Sequence, residues 1–341
     1  MTQRISINAF GRLRIAACFA IIVLHSLFAS TVYFGDWMSA SDVMAEKIAE
    51  HMLMWAVPVF LMITGALLLD PDREVSFGKL FGKYFRRIAL ALVCFTFIFQ
   101  ALMVWKEGEK DLISGWLKSL LTGQGWPHMW YLYLMISSYL MMPAYKAITR
   151  NVSDKVILYL IILCLVFLSI GPVLNTLGYG IDAFSIPVST IYPVYLFIGY
   201  YAYRHRMKMP FALILTAAAS AAIIYLAWLS AGGLISWDAG KEIAEHSAEY
   251  WSILVVLQAV GVYSIFLNIR WREDAIVNSI DKCTFGIYLI HMIGIRAVMK
   301  WQNVNPYEYG PFFFIALAII LFFISYFVTL ALRKIPKLHL L

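Results

Sequence analysis

Long apolar runs without a formal charge constrain this chain more than any other feature of its sequence. Residues 15–35 and 311–332 contain no Asp, Glu, Lys or Arg. A bilayer core about 30 Å thick is spanned by about 20 apolar residues in a helix. Backbone groups in lipid have no water to bond, so a spanning segment must satisfy them internally, as a helix does. A β-barrel would instead show alternation at every second residue, not solid apolar blocks. Composition agrees: 62% of the 341 residues are hydrophobic and 14% are charged, against about 25% charged in a soluble domain.

The expected fold is therefore all-α: a polytopic membrane helix bundle of about ten transmembrane helices in one domain covering residues 1–341. The runs place the spans near 13–33, 49–69, 86–105, 128–146, 156–174, 187–203, 210–231, 250–269, 284–300 and 311–332. The first resembles a signal peptide, but its apolar stretch is too long and no good cleavage site follows, so it is expected to stay as a helix. Lys and Arg segregate between alternate connecting segments, 20 on one side and 7 on the other. That asymmetry puts both termini in the cytoplasm. The net charge of +7 thus marks topology and membrane lipid, not a nucleic-acid partner. Segment 105–127 mixes charges with an apolar stretch, which suggests a short surface helix.

Ionisable groups inside the hydrocarbon are costly and are functional candidates by default. His25 lies 11 residues after Arg14, roughly 16 Å along the helix axis. It is expected to be uncharged and able to accept a proton. A packing histidine is the plainer alternative. His291 follows Tyr288 at i+3, so the two share a helix face. A structural bond between helices would also account for it. His128 stands with Trp130 and Tyr131 at the outer end of the fourth span, either in an interfacial aromatic belt or as an acceptor platform. Lys79, Lys83, Arg86 and Arg87 crowd one cytoplasmic loop. Guanidinium groups bind phosphate in a fork, although anionic lipid would also suit them.

The four cysteines fall in or beside apolar runs with no metal-binding spacing. They read as small hydrophobes. No phosphate-binding glycine loop, GxSxG or HExxH sequence is present, which argues against a conventional nucleotide or zinc enzyme.

These pieces occur in an order that resembles the membrane-bound acyltransferase-3 family across the whole chain. Arg14 and His25 match its Arg-x10-His signature. Residues Val57 to Gly65, the basic loop ending Lys83 to Ile88, His128 to Leu132, Phe285 to His291, and the tail Leu332 to Pro336 are similar to its later motifs. Two positions depart from the pattern: Gly11 stands where the family often has Asp, and Tyr84 replaces the first arginine of an RxxR element. The resemblance implies an O-acyltransferase of the bacterial inner membrane, similar to sugar O-acetyltransferases. His25 would be the catalytic residue. Arg14, Lys83, Arg86 and Arg87 would bind acetyl-CoA, a co-substrate and not a resident cofactor. His128, Trp130, Tyr131, Tyr288 and His291 would bind the acceptor, a glycan or lipid-linked sugar, or support the site. No metal is implied. A transporter or flippase without acyl-transfer activity is the alternative, favoured if helices break near the midplane.

Overall fold

A computed structural model describes residues 2–74, 76–179, 186 and 188–335, with side chains from residue 8 onward. The expected start of the sixth span at 187 and Pro336 of the tail lie outside the described residues. Among those residues the chain is helical and has no strand. Twelve helices organise it: α1 (Thr2–Phe34), α2 (Ala40–Leu53), α3 (Ala56–Leu68), α4 (Arg86–Glu107), α5 (Leu112–Thr122), α6 (Trp130–Asn151), α7 (Asp154–Leu165), α8 (Tyr192–Arg204), α9 (Met209–Ala231), α10 (Ile253–Asn268), α11 (Ala275–Arg296) and α12 (Phe312–Leu332).

Eight helical segments are long and apolar enough to cross a bilayer. Helices also occupy the two other expected spans. The α6 helix is long, at 22 residues, but ends with Lys146 and Arg150. The α8 helix has 13 residues, about 20 Å of rise, which is short of the hydrocarbon thickness. Segment 105–127 does contain a helix, α5, held against α4 by Trp116, whose indole donates to the Val93 carbonyl at 3.3 Å.

Local chemistry sets several helix ends. Ser39 opens α2 with a capping box, its hydroxyl accepting from the Asp42 amide while Asp42 accepts from the Ser39 amide, which satisfies two otherwise orphaned donors. Asp274 opens α11 by accepting from the amides of Ile276 and Val277 at 2.8 and 2.9 Å. The C-terminus of α3 is closed from another helix. Lys146 of α6 donates to the carbonyls of Leu68 at 3.1 Å, Asp70 at 3.0 Å and Arg73, and Thr149 donates to Leu69 at 2.7 Å. A helix leaves its last carbonyls unpaired, and a cation suits that negative end.

Helix α1 is the centre of the bundle, packed by α2, α3, α10, α11 and α12. By contrast, α7 and α9 are mostly uncovered at the periphery. Helices α3 and α8 meet backbone to backbone. A Cβ at Gly65 would lie 1.9 Å from the Leu196 carbonyl oxygen, and one at Gly199 would lie 2.0 Å from that of Met62. Small residues permit such close crossing where lipid supplies no hydrophobic drive between helices. Gly65 lies within α3 and brings α8 close.

Candidate active site

The site forms along the seam between α1 and α11. Three contacts climb that seam at nearly constant register. Arg14 pairs with Asp281, Cys18 donates to the Thr284 carbonyl at 3.6 Å, and His25 meets His291. The sequence separations are 267, 266 and 266 residues, so the two helices run parallel. The Arg14-to-His25 interval on α1 thus has a partner in the Asp281-to-His291 interval on α11. The ion pair and the imidazole pair stand roughly 16 Å apart along the axis.

At the lower rung the fork is bidentate. Arg14 Nε and Nη2 reach Asp281 Oδ1 and Oδ2, both at 2.7 Å. A Cβ on Gly11 would stand 3.1 Å from Asp281 Oδ2. The carboxylate of α11 therefore fills the space over Gly11, one turn before Arg14. An aspartate at 11 would compete for it.

At the upper rung three imidazoles converge. His25 and His291 have nearly parallel rings with centroids 5.1 Å apart, and His128 sits edge-on to both at 6.2 and 5.6 Å. His128 and His291 are fully buried, whereas His25 keeps partial exposure. The bonds fix the tautomers of the uncharged rings. His291 Nδ1 lies 3.2 Å from the Ile287 carbonyl, which can only accept, so Nδ1 carries the hydrogen. His291 Nε2 is then an acceptor. His25 Nδ1, at 2.8 Å, must donate to it. The remaining nitrogen, His25 Nε2, keeps its lone pair. An oriented base with its second nitrogen held by a partner is the arrangement general-base catalysis requires.

A cavity of 390 Å³ approaches this cluster from the Arg14 end. Arg14, Arg87, Lys282 and Tyr84 stand at its polar end. Its walls are apolar, among them Val57, Ile88, Met135 and Phe285. Arg87 lies over the Phe285 ring, 4.7 Å from its centroid. The cavity ends at Ile21 and Tyr288, one turn before His25 and His291 respectively. The Tyr288 ring separates it from the imidazoles, with centroids 5.8 Å from His291 and 5.7 Å from His128. Its hydroxyl donates to the His128 carbonyl.

Most of the residues singled out in the sequence come together here. His25, His128 and His291 form the cluster, Tyr288 and Tyr131 close the cavity, and Arg14 and Arg87 line its far end. Lys83 and Arg86 are exposed and do not line the cavity. Trp130 is not among the cavity's lining residues; it packs with Tyr192 and Tyr250 at 5.6 and 5.7 Å and meets the site through the Tyr131 ring at 6.1 Å. Sequence reasoning missed Asp281 and Lys282. The one signal for Asp281 was its spacing to His291, which repeats the Arg14-to-His25 interval within one residue.

A family model described as an acyltransferase domain, acyltransferase-3, matches residues 7–334. This chain belongs to the membrane-bound acyltransferase-3 family. No curated protein and no solved structure matches it. Within the acyltransferase, Asp281 reaches the space over Gly11 where the family often carries its own carboxylate. Tyr84 keeps an aromatic hydroxyl at the cavity where the family has arginine.

Proposed function

We propose that the protein transfers an acetyl group from cytoplasmic acetyl-CoA to a hydroxyl of a cell-surface or lipid-linked glycan, as a multi-pass protein of the bacterial inner membrane. One observation carries the reading: the Ile287–His291–His25 relay leaves a lone pair on His25 Nε2, one turn beyond a cavity with cations at its opposite end. Arg87 and Lys282, beside Arg14 in its fork with Asp281, suit the phosphates of a nucleotide thioester. The apolar walls suit its slender pantetheine-like arm and exclude water, which protects the thioester from hydrolysis.

In the step itself, His25 Nε2 takes the proton of the acceptor hydroxyl as its oxygen attacks the thioester carbonyl. The new C–O bond forms, the C–S bond breaks, and the proton returns to the leaving sulfur. His291 accepts from His25 Nδ1 throughout, so the transient imidazolium stays aimed and hydrogen-bonded. His291 plays the orienting part that a carboxylate plays in a serine hydrolase triad, without placing a full charge in the bundle. The acyl group must advance about 5 Å, one helical turn, beyond Ile21 to meet His25. Tyr288 stands in that path, and its bond to the His128 carbonyl must open for the arm to pass.

Purified protein supplied with [¹⁴C]acetyl-CoA and candidate glycans tests this directly. His25-dependent acyl transfer supports it. Movement of substrate across a vesicle membrane without transfer or CoA release would identify a carrier instead.

A further inference from the structure

A second cavity opens at the other end of the bundle. It measures 480 Å³, within the range of about 300–1,000 Å³ typical of small-molecule sites. Helix directions place it opposite the Arg14–Asp281 pair. It adjoins Arg296, at the end of α11 remote from Asp281, and Gln100, in the last two turns of α4. Helix α5 forms one side through Ser114, Lys118 and Ser119.

Unlike the first cavity, this one is rich in hydrogen-bonding groups. Gln100 donates to Glu109 at 2.7 Å and to the Asp111 carbonyl at 3.2 Å, which holds the loop carboxylate at the pocket in place. The charges balance. Glu109 and Asp111 face Lys110 and Lys118, while Arg296 is committed to a bidentate pair with Glu107 at 2.5 and 2.7 Å.

The inner wall is Trp126. One face stacks on Phe99 with centroids 4.3 Å apart, and the Arg296 guanidinium lies 5.0 Å from the ring centroid. Its buried indole N–H has no acceptor among the described residues. Trp126 also lies 6.3 Å from the His128 ring, which lies 6.2 Å from His25. The three imidazoles therefore sit between two cavities, one ending on Tyr288 and the other on Trp126.

We infer that this second pocket is the acceptor subsite and that it takes an uncharged, polyhydroxylated ligand, the sugar ring whose hydroxyl is acylated. The inference rests on the acyl-transfer reading above and adds the place where the second substrate docks. Balanced charge disfavours a strongly anionic or cationic ligand. Closely spaced carboxylate, hydroxyl and ammonium groups match the alternating donors and acceptors of a sugar. Trp126 closes the base with its ring, an apolar surface of the kind on which sugar rings pack. A ligand seated here lies on the side of His25 opposite the thioester, and the Trp126 and His128 rings must part for its hydroxyl to reach the base, as Tyr288 must for the acyl group.

The test uses membranes containing the full chain, supplied with [¹⁴C]acetyl-CoA, and counts the His25-dependent label entering the membranes' own acceptor pool. Ser114→Trp and Ser119→Trp fill the pocket, and each is expected to cut that label at least about tenfold while the purified proteins still bind acetyl-CoA. Ser114→Cys, made together with Cys94→Ser, guards against a misfolded bulky variant. Whatever transfer it retains should fall to the level of the filled variants once a polar thiosulfonate reagent blocks the new thiol. Undiminished label in the filled and the fully modified proteins would overturn the subsite. A wild-type chain that binds acetyl-CoA but labels nothing would sink the transfer reading itself, and the subsite with it. Transfer that survives a blocked pocket sinks the subsite alone.

Discussion

At the scale of single residues, the proposed reaction divides chemistry and support between His25 and His291. Proton removal by a positioned base contributes typically 10²–10⁴-fold. His25→Ala should lose transfer by about that factor while the protein accumulates normally, and steady-state kinetics on purified protein measures it. His291 acts one bond further out. Removing such an orienting partner costs about 10–100-fold where comparable shells have been perturbed. His291→Ala should therefore lower kcat by that amount and leave the KM for acetyl-CoA in place, because His291 does not line the cavity at the Arg14 end. An equal rise in KM would show that it positions the donor instead. Asp281 makes the opposite prediction. Asp281→Ala releases the Arg14 fork at the cavity's polar end, so KM for acetyl-CoA should change more than kcat. Gly11→Asp should restore it in the Asp281→Ala background and harm the protein alone, since its carboxylate would press against Asp281.

Among the helices, what matters is how close they come and how their ends are closed. The α3–α8 crossing has no room for a side chain at Gly65 or Gly199. Gly65→Leu should force the helices apart and abolish the monodisperse peak in detergent size-exclusion chromatography. Lys146 closes the end of α3 from α6 while itself buried at 7% exposure. Lys146→Met would leave several carbonyls unpaired, and each buried orphan costs about 1–3 kcal/mol. A drop in thermal stability without a change in the KM for acetyl-CoA is the expected signature, since Lys146 does not line the cavity at the Arg14 end. Three π-helical turns, at Leu80–Phe85, Val166–Ile170 and Ala297–Trp301, interrupt otherwise continuous helices. Two of them adjoin the site, before α4 and after α11. In the sequence they are invisible, because an inserted residue in a turn leaves the apolar run intact.

For the whole molecule the governing feature is polarity along the bundle axis: cations and an ion pair at one end, three imidazoles in the middle, a balanced polar pocket at the other. The segregation of basic residues, 20 against 7, leads to the expectation that the Arg14 end faces the cytoplasm. Lys83→Cys and Ser114→Cys provide the check, both exposed and at opposite ends. In intact cells a membrane-impermeant maleimide should label the second and spare the first. The reverse pattern would invert the path of the acyl group and bring acetyl-CoA to the wrong cavity.

The sequence by itself determined the class of fold and three of its central groups. Charge-free runs can only be helices in lipid, and an ionisable ring inside a span is a candidate by default, so His25 and His291 stood out before any coordinate, with a packing role as the plainer alternative for each. His128 was legible as a residue but not as a buried one, because an aromatic flank such as Trp126 to Tyr131 reads equally well as an interfacial belt. The tertiary structure decided who partners whom. The parallel register of α1 and α11, set by side-chain packing between segments some 266 residues apart, made Asp281 the partner of Arg14 and turned two separate histidines into a directed base. It also sent Trp130 to other aromatic rings and left Lys83 and Arg86 outside the cavity. Local sequence carries period and polarity. Which faces meet is fixed only when the helices pack.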